Sequence, residues 1–357
     1  MSDHLPNPRT AFNFNRRQFL QAGLATAGTL IAAQAISAAS LAPLEMTNTG
    51  PGQVPRKPLG RTGRQVSIIG LGGYHLGTLK SADDADKIVH EAIDAGIDFF
   101  DNAWEYNQGR SEEFMGHALK GRRDQVFLMT KVCTHGRDKK VALRQLDDSL
   151  KRLRTEHLDL WQIHEVVYEN DPDLHFAKDG VVEALDQAKK DGKVRFVGFT
   201  GHKHPSIHLK MLSHEYPFDT VQMPLNCFDS TYRSFEQQVL PELQRRGIAA
   251  LGMKSLGGDG QPILHGAVTA AEALRYAMSL PVATTISGID SLAVLHQNLD
   301  LARGFKPMTP DEMQTLRDRC ATLAADGHLE MYKTTVKYDA AVGREQHGYP
   351  PPDKLPL

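Results

Sequence analysis

Apolar and polar positions along the chain form two patterns that alternate. Short apolar runs rich in β-branched and aromatic residues predict strands, and these runs end near Leu71, Asp101, Lys131, His164, Thr200, Gln222, Met253 and Ser287. Between the runs, apolar residues recur at the spacing of one helix face. The predicted helices span residues 82–95, 111–120, 138–154, 179–191, 205–216, 233–246, 268–279 and 291–303.

This alternation predicts the fold class. A helix after each strand returns the chain for a parallel sheet, and eight such units favour closure into a (β/α)8 barrel, the TIM barrel. We expect residues 58–305 to form this barrel as a single domain. A short helix near residues 311–325 and the tail, together residues 306–357, are expected to border it, with Met331, Tyr332 and Tyr338 near the substrate.

Polar residues of different chemical types end three successive predicted strands. Asp101, Lys131 and His164 occupy these ends, and Tyr106 lies in the loop after Asp101. Each residue alone has a structural interpretation, as a cap, a solvated strand end, a loop residue or a hydrogen-bonded core histidine. At one barrel mouth they form a proton-donating site, with Tyr106 as the acid and Lys131 favouring its ionised form. Asp101 would pair with Lys131, and His164 would orient a carbonyl group.

Six separated segments carry a family resemblance. The segment FFDNAWEYNQGRSEE, from Phe99, resembles the aldo-keto reductase segment in which Tyr follows Asp by five residues before a glycine and Ser-Glu. Further matching segments are TKV from Thr130, LDLWQIH ending at His164, VRFVGFTGH from Val194, VQMPLN from Val221 and TISGIDSLAVLHQNL from Thr285. The resemblance implies hydride transfer between a nicotinamide cofactor and a small carbonyl or alcohol substrate.

The resemblance also implies which residues contact the cofactor. The nicotinamide carboxamide would be bound by Thr200 and Gln222, while Gly201, in the same cofactor-binding set, is a position where one contact would be lost or moved to His202. Its pyrophosphate would be bound near Lys254, Leu256 and Gly257. The adenosine-phosphate end would contact Ser287, Gly288, Gln297 and Asn298.

Several positions depart from the family pattern. Gly201 stands where many members have asparagine, and Met253 replaces an aromatic residue that often stacks on the nicotinamide. Val294 and Gly288 stand where an arginine and a lysine often bind the 2′-phosphate. NADP is therefore the cofactor that the resemblance implies, while these residues by themselves leave NAD open.

The first forty residues differ in composition from the barrel. Arg16 and Arg17 precede Phe19 and Leu20, and residues 22–40 form a weakly apolar run of small residues without charge or proline. This pattern resembles a twin-arginine export signal, residues 1–40, followed by a linker, residues 41–57. The expected partner is the twin-arginine export machinery and the expected location is the periplasm. A cytoplasmic protein, or one anchored by an uncleaved signal, is the alternative.

Composition excludes other classes of partner. Of 357 residues, 41% are hydrophobic and 24% charged, and the net charge of -2 gives no reason to expect nucleic acid. Cys133, Cys227 and Cys320 lie far apart without metal-ligand spacing, so no metal site is expected. The mature chain is also expected to lack a stable membrane span.

Two functions of different classes remain open on these residues. The first is an exported oxidoreductase, in which Tyr106 protonates the carbonyl oxygen or takes part in the reverse oxidation. The second is a cofactor-binding regulatory or scaffold protein with the same fold and slow turnover, associated with a membrane partner. Neither the substrate nor the direction of reaction follows from the sequence.

Overall fold

The computed structural model describes residues 44–48, 50, 52–133, 138–335, 338 and 339. The predicted export signal and the tail beyond residue 339 lie outside these described residues. Within the described ranges, no helix combines the length and apolar character needed to cross a bilayer.

Eight parallel strands close into a barrel, which confirms the predicted fold class. They are β3 (Ile69–Gly72), β4 (Phe99–Asp101), β5 (Phe127–Val132), β6 (Leu158–Ile163), β7 (Val194–Thr200), β8 (Thr220–Pro224), β9 (Ala249–Met253) and β10 (Thr284–Gly288). Each strand pairs with the next in the chain, and β10 pairs with β3 to complete the ring.

An antiparallel hairpin lies at the N-terminal end of the barrel. Its strands are β1 (Arg56–Pro58) and β2 (Gln65–Ser67). Leu59 and Val66 are fully buried in the apolar cluster inside the barrel, so the hairpin covers the barrel floor. It begins at Arg56, which places the last two residues of the predicted linker in a strand. Lys57 is buried, and its ammonium donates to the Met278 carbonyl oxygen at 2.7 Å.

Helices follow the strands close to the predicted positions. They are α1 (Gly73–Leu76), α2 (Ala82–Asp94), α3 (Arg110–Ala118), α4 (Lys139–Leu153), α5 (Asp171–His175), α6 (Val181–Lys190), α7 (Pro205–Ser213), α8 (Phe235–Gln238), α9 (Leu240–Arg246), α10 (Gln261–Leu264), α11 (Ala270–Ser279) and α12 (Leu292–Arg303). The helix predicted over residues 233–246 is two helices, α8 and α9. Pro241 lies at the start of α9 and has no amide hydrogen with which to continue α8.

The C-terminal segment is tied to the loop after β8. Helix α13 (Pro310–Ala324) is followed by the single turn α14 (Met331–Thr334). The buried Lys333 ammonium lies 2.7 Å from both the Asp229 and the Glu330 carboxylates. Asn226 donates to Glu330 at 3.2 Å and to the Tyr332 hydroxyl at 2.9 Å. Because these buried groups neutralise and bond one another, the segment holds a fixed position at the C-terminal end of the barrel.

The buried side chain of His208, in α7, predicts a pH dependence of stability. His208 lies between the Phe199 and Phe235 rings, with centroids 5.2 and 4.9 Å away, and burial lowers its pKa to about 3. Unfolding restores the ordinary value of 6.5, so the unfolded chain binds more protons between these two values. The stability that His208 contributes is complete above pH 6.5 and is lost as the pH falls toward 3.

We therefore expect His208→Phe to make the protein less sensitive to acid. Between pH 8 and pH 5, the wild type should lose about 2 kcal/mol of unfolding free energy that the variant retains. Urea unfolding at both pH values measures this difference. Any change in stability that the larger Phe ring causes equally at both pH values cancels in it. His202, whose pKa burial also lowers to about 3, remains in both proteins. An equal loss in both proteins would contradict the assignment to His208.

Candidate active site

The alternation of side chains along the strands builds the site. Residues two apart in a strand point to the same face. Phe99 and Met129 belong to the apolar cluster inside the barrel. Two residues further along the same strands, Asp101 and Lys131 therefore point inward at the C-terminal end, above that cluster. His164, directly after β6, continues the inward register of its strand.

Lys131 lies at the centre of the site. Its ammonium is bonded to the Asp101 carboxylate and donates to the Asn102 carbonyl oxygen at 2.7 Å. The Tyr106 hydroxyl lies 3.4 Å from the same ammonium, and the Tyr106 ring centre 4.9 Å from it. Lys131 and Asp101 are 1% and 4% exposed, so this ion pair is shielded from water.

A tightly bonded loop presents Tyr106. Asn107 and Gln108, which follow it, both have left-handed backbone conformations, with φ of 50° and 59°. The Asn107 side chain holds this turn by donating to the Tyr74 carbonyl oxygen at 2.8 Å and to the Ser111 hydroxyl at 2.9 Å. Gly109 continues the left-handed turn, and a Cβ there would lie 2.5 Å from the Arg152 guanidinium carbon. The loop therefore depends on these side chains for its shape.

The Tyr106 phenol is held in its neutral form. Burial raises its pKa well above the ordinary value, and the carboxylates of Asp101, Glu105 and Glu165 raise it further. That Lys131 favours the ionised form stays a prediction, because this net shift does not separate the contribution of Lys131. The Lys131 ammonium is already bonded to Asp101, so it does not outweigh burial and the surrounding negative charge. Tyr106 therefore carries its proton at neutral pH.

His164 completes the predicted set of four, but with a partner that was not predicted. Its ring meets the Tyr106 ring edge to face, with centroids 5.5 Å apart. Its Nδ1 atom is bonded to the Glu105 carboxylate, and both side chains are 9% exposed. Burial lowers the pKa of His164 despite that carboxylate. Burial would raise the pKa of Glu105, but His164 and Lys131 lower it overall.

Two further acidic residues of the site, Glu105 and Glu165, were not predicted. Glu105 and Glu165 each stand next to a predicted catalytic residue in the chain, Tyr106 and His164 respectively. That adjacency was the available signal, although only the structure shows that Glu105 turns toward His164. Glu165 has a left-handed backbone, with φ of 54°, and is 8% exposed at the barrel mouth.

Two predicted cofactor residues are suited to bind a carboxamide. Thr200 and Gln222 are partners in the register of β7 and β8. Among the described residues, the buried Gln222 Oε1 atom has no hydrogen-bond partner, and the Thr200 hydroxyl contacts only the Met253 sulfur, at 3.9 Å. A group that both donates and accepts hydrogen bonds would satisfy these atoms. These two residues therefore fit the nicotinamide end of the predicted cofactor.

Two glycines in the predicted cofactor set have close neighbours. A Cβ on Gly201 would lie 2.3 Å from the Val166 carbonyl oxygen, so the structure has no room for an asparagine at this position. A Cβ on Gly288 would lie 2.3 Å from the ring of His75. The histidine in α1 thus occupies the space that a lysine at position 288 would need.

Other predicted cofactor residues already bond within the protein. The Gly257 amide donates to the Lys254 carbonyl oxygen at 3.0 Å, and its contact with a pyrophosphate stays a prediction. Asn298 donates to the Ser287 hydroxyl at 3.0 Å, and both side chains are buried. Leu256 is half-buried, and Gln297 is exposed on α12, outside the cluster around Lys131.

Lys254 lies against the C-terminal segment. Its ammonium is 4.9 Å from the Tyr338 ring centre and 5.5 Å from that of Tyr332. Burial lowers its pKa to about 8, and the Glu165 carboxylate opposes this shift. Tyr332 is fully buried and its hydroxyl accepts from Asn226, so its ring packs beside Lys254 in the protein interior. The partly exposed Tyr338 ring packs beside the same ammonium.

The buried ion pair predicts a large effect on stability. Lys131→Met leaves the Asp101 carboxylate buried without its cation, and we expect the free energy of unfolding to fall by about 3–5 kcal/mol. Adding Asp101→Asn removes the uncompensated charge and should restore part of that loss. Urea unfolding of the single and double variants measures both changes. A single variant as stable as the wild type would show that Asp101 does not depend on Lys131.

Comparison with known proteins gives the family. Residues 68–261 match the model of the Aldo/keto reductase family. The chain is 31% identical over 209 residues to the aldo-keto reductase YhdN of Bacillus subtilis, an alignment that spans 55% of this chain and 60% of YhdN.

Solved structures agree with this result. The holo form of aldo-keto reductase AKR11C1 from Bacillus halodurans is 25% identical, with a TM-score of 0.62 over 74% of this chain and 95% of its own. An aldo/keto reductase from Klebsiella pneumoniae, solved with NADP and acetate, has the same fold at 21% identity, with a TM-score of 0.60 over 76% of this chain and 96% of its own. The family match confirms the predicted enzyme class and its nicotinamide cofactor, NADP. The chain belongs to the Aldo/keto reductase family, whose members are NAD(P)H-dependent oxidoreductases.

Proposed function

We propose that the protein interconverts a small carbonyl compound and its alcohol with NADP as cofactor, at the barrel mouth. One observation carries the proposal: a buried ammonium, Lys131, is bonded to Asp101 and lies 3.4 Å from the Tyr106 hydroxyl. The unsatisfied Gln222 Oε1 atom and the Thr200 hydroxyl, which bonds the Met253 sulfur at 3.9 Å, support a nicotinamide group bound near this cluster.

Tyr106 is the proton donor in this proposal. The cofactor, when bound, supplies or accepts the hydride. The Tyr106 hydroxyl bonds to the substrate carbonyl oxygen and delivers its proton there as negative charge develops on that oxygen. A high pKa suits this role in reduction, because the phenol keeps its proton until it meets an oxygen more basic than itself. Lys131 holds the phenol in position and moderates the negative charge left on it.

Two groups of residues would hold the cofactor. Thr200 and Gln222 would bond the carboxamide and orient the nicotinamide ring. The region of Ser287, Gly288 and Asn298 would lie at the adenosine end, with Gln297 on the adjacent helix surface. The charges of Lys131 and Asp101 act on Lys254, and its ammonium would bind a phosphate of the cofactor as a point charge.

Tyr106→Phe tests the chemistry. The substitution removes the proton donor and keeps the ring, so kcat for reduction of a panel of aldehydes should fall by about 10²–10⁴-fold. Nucleotide affinity should change little, because the phenol does not hold the cofactor. Rates with NADPH and NADH, together with nucleotide binding by fluorescence, measure both effects.

Two outcomes would count against this assignment. Equal turnover by the wild type and Tyr106→Phe would remove Tyr106 from the reaction. Nucleotide binding without turnover by either protein would instead favour the regulatory function.

We further propose that the protein is exported by the twin-arginine route. The support lies in the pair Arg16 and Arg17, followed by Phe19, Leu20 and the uncharged run of residues 22–40. This route carries folded proteins, which suits a protein that acquires its cofactor before export. A steady supply of reductant outside the cytoplasm then requires that the cofactor stays bound or that a partner recharges it.

The paired substitution Arg16→Lys and Arg17→Lys tests export. It keeps both positive charges but removes the guanidinium pair, so the protein should accumulate in the cytoplasm instead of the periplasm. Cell fractionation measures the distribution, and Arg9→Lys is the matched control outside the motif. Periplasmic protein at wild-type levels from the paired variant would contradict the proposal. Nucleotide that stays with the purified mature protein would support export in the loaded form.

A further inference from the structure

Two buried cysteines from distant parts of the chain meet where α13 packs against the loop after β8. Cys227 lies in that loop, and Cys320 lies on α13. Their sulfur atoms are 3.9 Å apart, although 93 residues separate them in the chain. Both side chains are fully buried thiols. Cys133, the third cysteine of the chain, directly follows β5.

The loop after β8 holds Cys227 in a defined position. The side-chain oxygen of Asn226, the residue before it, accepts from the Phe228 amide at 2.8 Å and from the Asp229 amide at 2.9 Å. These bonds close a turn around Cys227. The same Asn226 side chain donates to the Glu330 carboxylate at 3.2 Å, so the turn is also bonded to the C-terminal segment.

Helix α13 presents Cys320 from the other side. Leu316, Cys320 and Ala324 are four residues apart on one helix face, and all three are buried. Arg317 fixes the rotation of the helix, because it donates to the Tyr276 hydroxyl at 3.1 Å. The buried face of α13 therefore directs the Cys320 sulfur at the loop after β8.

Packing explains either cysteine alone but does not require their sulfur atoms to meet. A buried thiol behaves as a small apolar side chain, and an alanine or valine would fill the same space. A disulfide brings its sulfur atoms to about 2 Å, so each sulfur here has to move by about 1 Å. Rotation about the two Cα–Cβ bonds, with a small movement of α13, supplies this approach.

The two thiols differ in how readily they ionise. The hydrogen bond with Cys227 and the charge of Arg319 lower the pKa of Cys320, although burial opposes them. The same hydrogen bond, together with burial, raises the pKa of Cys227. The thiolate is the nucleophile in disulfide exchange, so Cys320 reacts first.

We propose that Cys227 and Cys320 form a disulfide when the folded protein meets a disulfide oxidant such as oxidised glutathione. The Cys320 thiolate attacks one sulfur of the oxidant, and the other half of the oxidant leaves as a thiolate. Cys227 then loses its proton and attacks the Cys320 sulfur, which displaces the remaining half. Two protein thiols are oxidised, and the oxidant is reduced to two thiols that take up the two protons.

The bond would fasten α13 to the barrel. It would also limit the movement of the segment after α13, whose Tyr332 and Tyr338 rings lie beside Lys254. This inference does not depend on the reaction at Tyr106. Oxidising compartments outside the cytoplasm supply such oxidants, and the proposed export would bring the protein there. Because both thiols are buried, the oxidant reaches them only when α13 opens locally.

Mass spectrometry of the full-length protein tests the bond. Reduced protein is equilibrated without denaturant in an about tenfold excess of oxidised over reduced glutathione. It is then unfolded in acid and alkylated. We expect only Cys133 to take up the alkylating reagent, and the peptides that contain Cys227 and Cys320 to be joined. Alkylation of all three cysteines, a bond that includes Cys133 or joins two chains, or a bond that forms only in urea would overturn the proposal.

Thermal unfolding tests the fastening of α13. The oxidised wild type should unfold about 5–10 °C above the reduced wild type, because the bond closes a long loop. Cys320→Ala should lose this difference, and the matched control Cys133→Ala should keep it. Equal unfolding temperatures of the oxidised and reduced wild type would overturn the role of the bond. The wild type alone decides both tests, so neither depends on the folding of a variant.

Discussion

Closure of the barrel is the constraint on which the rest of the structure depends. Every strand of a closed barrel must alternate between the interior and the surrounding helices, and the interior has room only for stacked layers of side chains. Below, Phe99 and Met129 help to fill that interior with apolar volume. Two residues further along the same strands, Asp101 and Lys131 point into the C-terminal mouth of the barrel. The apolar core thus positions the polar site. A shift of either strand by one residue would turn its apolar and its polar side chains together to the opposite face.

Charge balance within the mouth decides the state of each group. The mouth contains several carboxylates and two ammonium groups, Lys131 and Lys254, and Lys131 is already bonded to Asp101. Burial, together with the carboxylates of Asp101, Glu105 and Glu165, keeps Tyr106 neutral and leaves it as a hydrogen-bond donor. His164 also stays uncharged despite its carboxylate partner, because burial outweighs the attraction. The site therefore presents a neutral phenol and a neutral imidazole side by side.

The C-terminal segment packs against the loops at the C-terminal end of the barrel. Lys333 binds Asp229 and Glu330 in a fully buried network, which fixes the turn that carries Tyr332. Tyr338 then lies over Lys254, and Asp339 lies 3.1 Å from the Lys203 ammonium. Two tyrosines of this segment, Tyr332 and Tyr338, therefore lie against the Lys254 ammonium.

The sequence by itself determined the barrel, the positions of its strands and helices, and the four residues of the candidate catalytic cluster. The strands and helices follow from the local periodicity of apolar residues. The four residues follow from their positions at or just after strand ends, which meet at one end of a closed barrel. Tertiary structure alone decided the contacts between residues distant in the chain. The Glu105 carboxylate reaches His164, the His75 ring fills the space beside Gly288, and the Gly257 amide bonds within its own turn. Periodicity specifies which face a side chain occupies, but the partner that it meets there depends on how separate segments pack.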